Sequence, residues 1–130
     1  MAAQAGREEA RQAAISTVPT LLSYGPQSVG SLLATVGPGL TDAFRRDYGT
    51  LISQVVAPAA KNQQITTRTE VKGSSVVVET TDSDHATVLM FIDQSTQTAA
   101  APASASTGSR VRVALDRVDG RWLVSDVKPI

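Results

Sequence analysis

At 130 residues the chain has the length of one domain, enough to bury a core without disulfide or metal staples. Twelve basic residues cancel twelve acidic ones and no block of like charge stands out, which argues against nucleic-acid binding and against an electrostatic membrane patch. The absence of cysteine excludes disulfides and thiolate metal sites, and with 42% hydrophobic but only 4% aromatic residues the core must be built from Val, Leu, Ile and Ala.

No run approaches the roughly 18 apolar residues of a bilayer-spanning helix. Met1-Ala2-Ala3-Gln4 leads almost straight into Arg7-Glu8-Glu9, unlike a signal peptide. The sequence reads as soluble, or as the soluble part of something longer, with residues 1–130 forming a single domain. Residues 4–22 predict a helix, with Ala10, Ala13, Ala14, Val18 and Leu21 on one side and Arg7, Glu8, Arg11 and Gln12 available for the other. Glu8, three residues before Arg11, can pair with it. Pro19 predicts a kink or break between Ile15 and Val18. This N-terminal helix, within residues 1–22, is either an amphipathic cover for the core or the continuation of a membrane anchor absent from this chain.

Ser23-Tyr24-Gly25-Pro26 has turn composition, and Ser28 can cap a short helix that turns Val29, Leu32, Leu33 and Val36 inward. Gly37-Pro38-Gly39 stops it. Thr41 then offers an N-cap hydroxyl, with Asp42 at the positive helix end. In the third helix Phe44, Tyr48, Leu51, Ile52, Val55 and Val56 form one stripe, which Pro58 ends. Each such side chain stabilises by roughly 1.5–3 kcal/mol when buried, so this helix is expected to be the main cover of the sheet.

From Ile65 the period switches to two. Ile65, Thr67, Thr69 and Val71 alternate with Thr66, Arg68, Glu70 and Lys72, Gly73 marks a turn, and Val76, Val77 and Val78 form another strand closed by residues 80–84. Residues 86–93 are apolar on both faces and read as the central strand. Residues 96–107 are low-complexity, and their middle reads as a mobile loop. Val111, Val113 and Leu115 then alternate with Arg110, Arg112 and Asp116. Asp119-Gly120 supplies a tight hairpin turn, and Trp122, Leu123, Val124 and Val127 return. Helices first and antiparallel strands afterwards predict an α+β fold, with N-terminal helices packed on a curved antiparallel β-sheet.

Ser23-Tyr24, Thr41-Asp42-Ala43-Phe44-Arg45 with Tyr48, Ala57-Pro58-Ala59, residues 86–94, and the closing run Asp119-Gly120-Arg121-Trp122-Leu123-Val124-Ser125-Asp126-Val127 occur in an informative order. From about Ala13 to the C-terminus, the sequence resembles the soluble domain of actinobacterial Mce-associated membrane proteins (Mce, mammalian cell entry). The resemblance implies a nuclear transport factor 2-like cone outside the membrane, following one transmembrane helix that this chain lacks. It also implies a non-enzymatic role, stabilising or assisting Mce complexes that import lipids and sterols. The expected partners are therefore Mce transport complex subunits, and no nucleic acid.

Folds of this shape also include isomerases, dehydratases and hydrolases, in which a carboxylate or histidine inside the pocket would be the catalytic candidate. His85 lies in a turn-like cluster with Asp82 and Asp84 and reads as solvated. Asp93 shares a face with Leu89 and Phe91, and Asp126 shares one with Trp122 and Val124. Either would be a buried base if its face lined the concavity, and is otherwise a solvated or paired acid, Asp126 with Arg112 or Lys128. No triad, phosphate loop or paired-acid set can be assembled, and no metal or cofactor is expected. A lipid- or sterol-binding cone is the alternative to a protein-contact role, with Phe44, Tyr48, Phe91 and Trp122 as candidate pocket lining.

Overall fold

The computed structural model of the chain describes residues 2–77, 84–100 and 105–129. Helices α1 (Ala2–Leu21), α2 (Leu32–Val36), α3 (Asp42–Leu51) and α4 (Ala57–Gln63) precede strands β1 (Thr66–Val77), β2 (His85–Gln97), β3 (Ala105–Val118) and β4 (Arg121–Pro129). The strands form one antiparallel sheet in the order β1-β2-β3-β4. The α+β class and the helices-on-sheet layering are as the sequence predicts.

The cover of the sheet is α1, not the third helix. Ala10, Ala14, Val18 and Leu21 are buried at helical spacing, and α1 meets all four strands, most extensively β1. Alanines one turn apart let the helix backbone sit close to the sheet. Pro19 does not break it. The helix continues to Leu21, and the Leu22 N–H still reaches the Val18 carbonyl at 3.0 Å, so only the proline's own donor is missing.

Thr41 caps α3 as expected, its hydroxyl accepting the Phe44 N–H at 3.3 Å. Pro58 does not end the helical run. A π turn (Ile52–Val56), in which the Ala57 N–H reaches back to the Ile52 carbonyl, leads directly into α4. Pro58 lies at the start of α4, where a missing donor is tolerated, and the run stops at left-handed Gln64. The wider turn splits the expected stripe: Ile52 is buried, while Leu51 and Val55 face solvent.

Gly73 is not a turn. β1 runs past it as one strand, with a register shift between Val71 and Gly73 that leaves Lys72 as the extra residue of a bulge. The expected strand end at Val78 and most of the closing segment 80–84 lie outside the described residues. Much of the low-complexity stretch is paired: Thr96 sits opposite Ala105 and Ser95 opposite Ser106. The middle of the expected loop, 101–104, lies outside the described residues. Asp119 (φ 52°) and Gly120 (φ 80°) make the two-residue turn between β3 and β4.

On the face toward the helices, Ala86, Val88, Met90 and Ile92 of β2 meet Val111, Val113 and Leu115 of β3, with Trp122 and Val124 of β4 beside them. Each sheet edge is tied to the helical layer. Tyr24 and Thr67 exchange backbone hydrogen bonds of 2.9 and 2.7 Å along β1, and the Thr41 N–H donates to the Val124 carbonyl of β4 at 2.9 Å. Buried Thr69 binds twice just beyond α1: its hydroxyl donates to the Leu22 carbonyl at 2.9 Å, and its N–H donates to the Ser23 hydroxyl at 2.8 Å.

Thr69→Val keeps the shape but leaves the Leu22 carbonyl without its donor. It should destabilise the fold by about 1–3 kcal/mol in urea unfolding. Thr66→Val, on an exposed position of the same strand, should stay within about 0.5 kcal/mol.

Candidate functional site

A largely apolar concavity lies where the end of α1 and one face of α3 overhang one end of the sheet. Leu21 and Leu22 come from α1 and its exit. Phe44, Tyr48 and Leu51 come from α3, and Ile92, Gln94, Ser109, Val111, Val127 and Pro129 from β2, β3 and β4. Together they border an open-mouthed hollow of 310 Å³, at the small end of the range for ligand sites. Phe44 and Tyr48, one helical turn apart, hold their ring centroids 5.8 Å from each other at a 33° tilt.

Tyr48 is both wall and strut. Its hydroxyl donates to the Leu21 carbonyl at 3.0 Å, across 27 residues of sequence. Its pKa is pushed up to about 12, first by burial and then by the nearby Tyr24 phenol, so the hydroxyl is held neutral as a donor.

The four aromatic residues proposed as lining are not brought together. Phe44 and Tyr48 face the hollow. Phe91 projects from the opposite side of the sheet, 42% exposed, with its ring carbon 3.7 Å from where a Cβ on Gly73 would be. It flanks a shallow groove with Lys72, Asp93 and Arg110. Trp122 is buried in the core of β4 and lines neither concavity, and its indole N–H has no hydrogen-bond partner among the described residues.

Neither acid weighed as a base reaches the hollow. Asp93 lies on the solvent side of the sheet, as Leu89 and Phe91 do, and its carboxylate is 3.8 Å from the Lys72 ammonium. Asp126 does not share the face of Trp122 and Val124. A second bulge pairs Leu115 with Val124 and Ala114 with Asp126, making Ser125 the extra residue and turning Asp126 outward. There its carboxylate is 3.4 Å from Lys128 and accepts the Val127 N–H at 3.0 Å. His85 stands 3.8 Å from Asp116 on the neighbouring strand, with both side chains largely exposed. Among the described residues, no cluster of His, Asp or Glu is arranged to hold a metal ion, and no helix is long and apolar enough to cross a membrane.

Two polar members of the hollow, Gln94 and Ser109, escaped the sequence reading. The inward alternation of Ala86, Val88, Met90 and Ile92 continues to Gln94, and that of Val113 and Val111 continues back to Ser109, so the signal was present.

A scan against protein-family models finds no match. Among curated proteins, outer membrane protein Rv1973 of Mycobacterium tuberculosis is 38% identical over 128 residues, which cover 98% of this chain and 78% of that protein. Among solved structures, the periplasmic domain of DotI superposes with a TM-score of 0.74 at 14% identity, covering 92% of this chain and 91% of that one. CagV, a VirB8 homolog of the type IV secretion system from Helicobacter pylori, gives a TM-score of 0.69 at 11% identity, covering 91% and 93%. At such identities the likeness is one of fold.

The raised Tyr48 pKa has a defined sign. The folded state binds the phenolic proton more tightly than the unfolded chain, so this stabilisation is complete below pH 10 and is lost as pH rises through about 12. Tyr48→Phe should cost about 1 kcal/mol at pH 7. In pH-resolved denaturation it should also flatten the loss of stability between pH 10 and 12 relative to the unsubstituted chain.

Proposed function

The chain belongs to the family of the Mycobacterium tuberculosis outer membrane protein Rv1973, and from that membership we propose that it is a non-enzymatic accessory domain of the cell envelope. It acts outside the cytoplasmic membrane, held there by a segment preceding α1, and assists an Mce lipid- and sterol-import complex through protein contacts. The 38% identity over nearly the whole chain carries the envelope reading. The ordered match running from Ser23-Tyr24 to Asp119-Gly120-Arg121-Trp122 supports the Mce assignment. Periplasmic domains of secretion machinery, which share the fold, are an apt analogy for such a role.

The solvent side of the sheet suits a protein contact. Phe91 is exposed at its centre, directly across from Arg110, and Leu89 is across from Arg112. Arg112 in turn sits opposite Lys128. Neither arginine has an ion-pair partner among the described residues, and cations side by side on paired strands favour an acidic partner. An aromatic anchor beside free guanidinium groups is a combination enriched at interface hot spots. Asp93 and Asp126, both turned to solvent beside lysines, speak against a buried catalytic base.

Tagged full-length protein purified from detergent extracts of a mycobacterial host should carry Mce subunits with it. Arg110→Glu combined with Arg112→Glu should reduce their recovery while the isolated domain keeps its melting temperature. Repeated absence of Mce subunits from extracts of the unsubstituted protein would contradict the assignment.

A further inference from the structure

The wall of the 310 Å³ hollow is chemically uneven. Leu21, Leu22, Phe44, Leu51, Val111 and Val127 make most of it, and the one hydroxyl on the helical side, Tyr48, is occupied by the Leu21 carbonyl. The exceptions are Gln94 and Ser109, which reach the hollow from adjacent strands. Ser109 is paired with Ile92, so Gln94 is its diagonal neighbour on the same face, within reach of one small group. Neither side chain makes a hydrogen bond among the described residues. The carboxamide therefore offers two N–H donors and a carbonyl acceptor, and the hydroxyl one donor and two lone pairs. Among the described residues, no Asp, Glu, Lys, Arg or His lines the hollow.

From this arrangement we propose that the hollow binds one uncharged amphiphile, its hydrocarbon body against the leucines, valines and Phe44 and its hydroxyl or carbonyl head at Gln94 and Ser109. The hollow opens on the helix side of the sheet and adjoins, at Ile92, Ser109 and Pro129, the outer face assigned to protein contacts; its ligand binding is tested independently of that contact. Size limits the ligand to a single short chain or a compact apolar body. A dry cavity of ~150 Å³ takes one benzene, so this one takes a body of about ten carbons. Charge selects the head. At half-buried Gln94 and at Ser109 on the open rim a carboxylate or phosphate would meet no cation, whereas a neutral alcohol or ester finds a donor and an acceptor already in place. The neighbouring groove around Phe91 shares Ile92, Ser109 and Pro129 with the hollow but adds Lys72, Asp93 and Arg110; Lys72 is already paired with Glu70 and Asp93, so Arg110 is the cation that would draw an anionic head there instead.

The test is titration of the methyl-labelled chain with 1-decanol and with decanoate at pH 8, followed by NMR. The alcohol should give saturable shifts confined to Leu21, Leu22, Leu51, Ile92, Val111 and Val127, and decanoate should bind at least about tenfold more weakly. Gln94→Leu should weaken the alcohol several-fold and leave decanoate unchanged. Leu51→Trp, at the exposed mouth, should block the alcohol without lowering the melting temperature. Three results would each overturn the proposal: no saturable shift with 1-decanol, decanoate binding as tightly as the alcohol, or shifts centred on Phe91 and Arg110.

Discussion

The carboxyl end of α1 is the junction on which the rest of the molecule depends. A helix leaves its last carbonyls without intrahelical donors, and a buried carbonyl left unpaired costs about 1–3 kcal/mol. Here two successive carbonyls are satisfied from different directions: Leu21 by the Tyr48 hydroxyl of α3, and Leu22 by the Thr69 hydroxyl of β1. Ser23 and Tyr24 extend the seam along β1 through the Thr69 and Thr67 backbone. One turn of chain thus fixes where the covering helix lies on the sheet and how closely α3 approaches. The hollow is the space left beside that junction, which is why Leu21, Leu22 and Tyr48 are among its walls.

Two one-residue insertions decide which side chains face which medium. Strand alternation has a period of two, so a single extra residue moves everything beyond it to the other face. Ser125 is such a residue, and it carries Asp126 away from the core and brings Val127 to the hollow. Lys72 is the other, placing Gly73 under the Phe91 ring and Lys72 itself near Glu70 and Asp93. Both bulges separate the apolar interior, where no acid lies among the described residues, from a charged outer face.

The outline of the fold was legible because it rests on local chemistry. The Thr41 cap, the Asp119-Gly120 turn and the alternation through β2 and β3 each follow from neighbours in sequence. What was not legible depends on tertiary context. Apolar bulk pointed to Phe44, Ile52 and Val55 as the sheet's main cover, but closeness of approach favours the alanines of α1, which carry little hydrophobic signal. Pro58 and Gly73 have strong breaker chemistry, yet a π turn and a bulge absorb them. The candidate lining was chosen by aromaticity alone, and only Phe44 and Tyr48 lie at the hollow. Gln94 and Ser109 needed only the strand period carried one step further.

If the α1 junction is the organising constraint, its amides should be among the last to open. Native-state hydrogen exchange at Tyr24, Thr67 and Thr69, compared with Met90 in the central strand, measures this directly. All four should exchange with the free energy of global unfolding. Exchange of Tyr24, Thr67 and Thr69 at markedly lower free energy than Met90 would mean that the seam frays independently of the core and does not organise the fold.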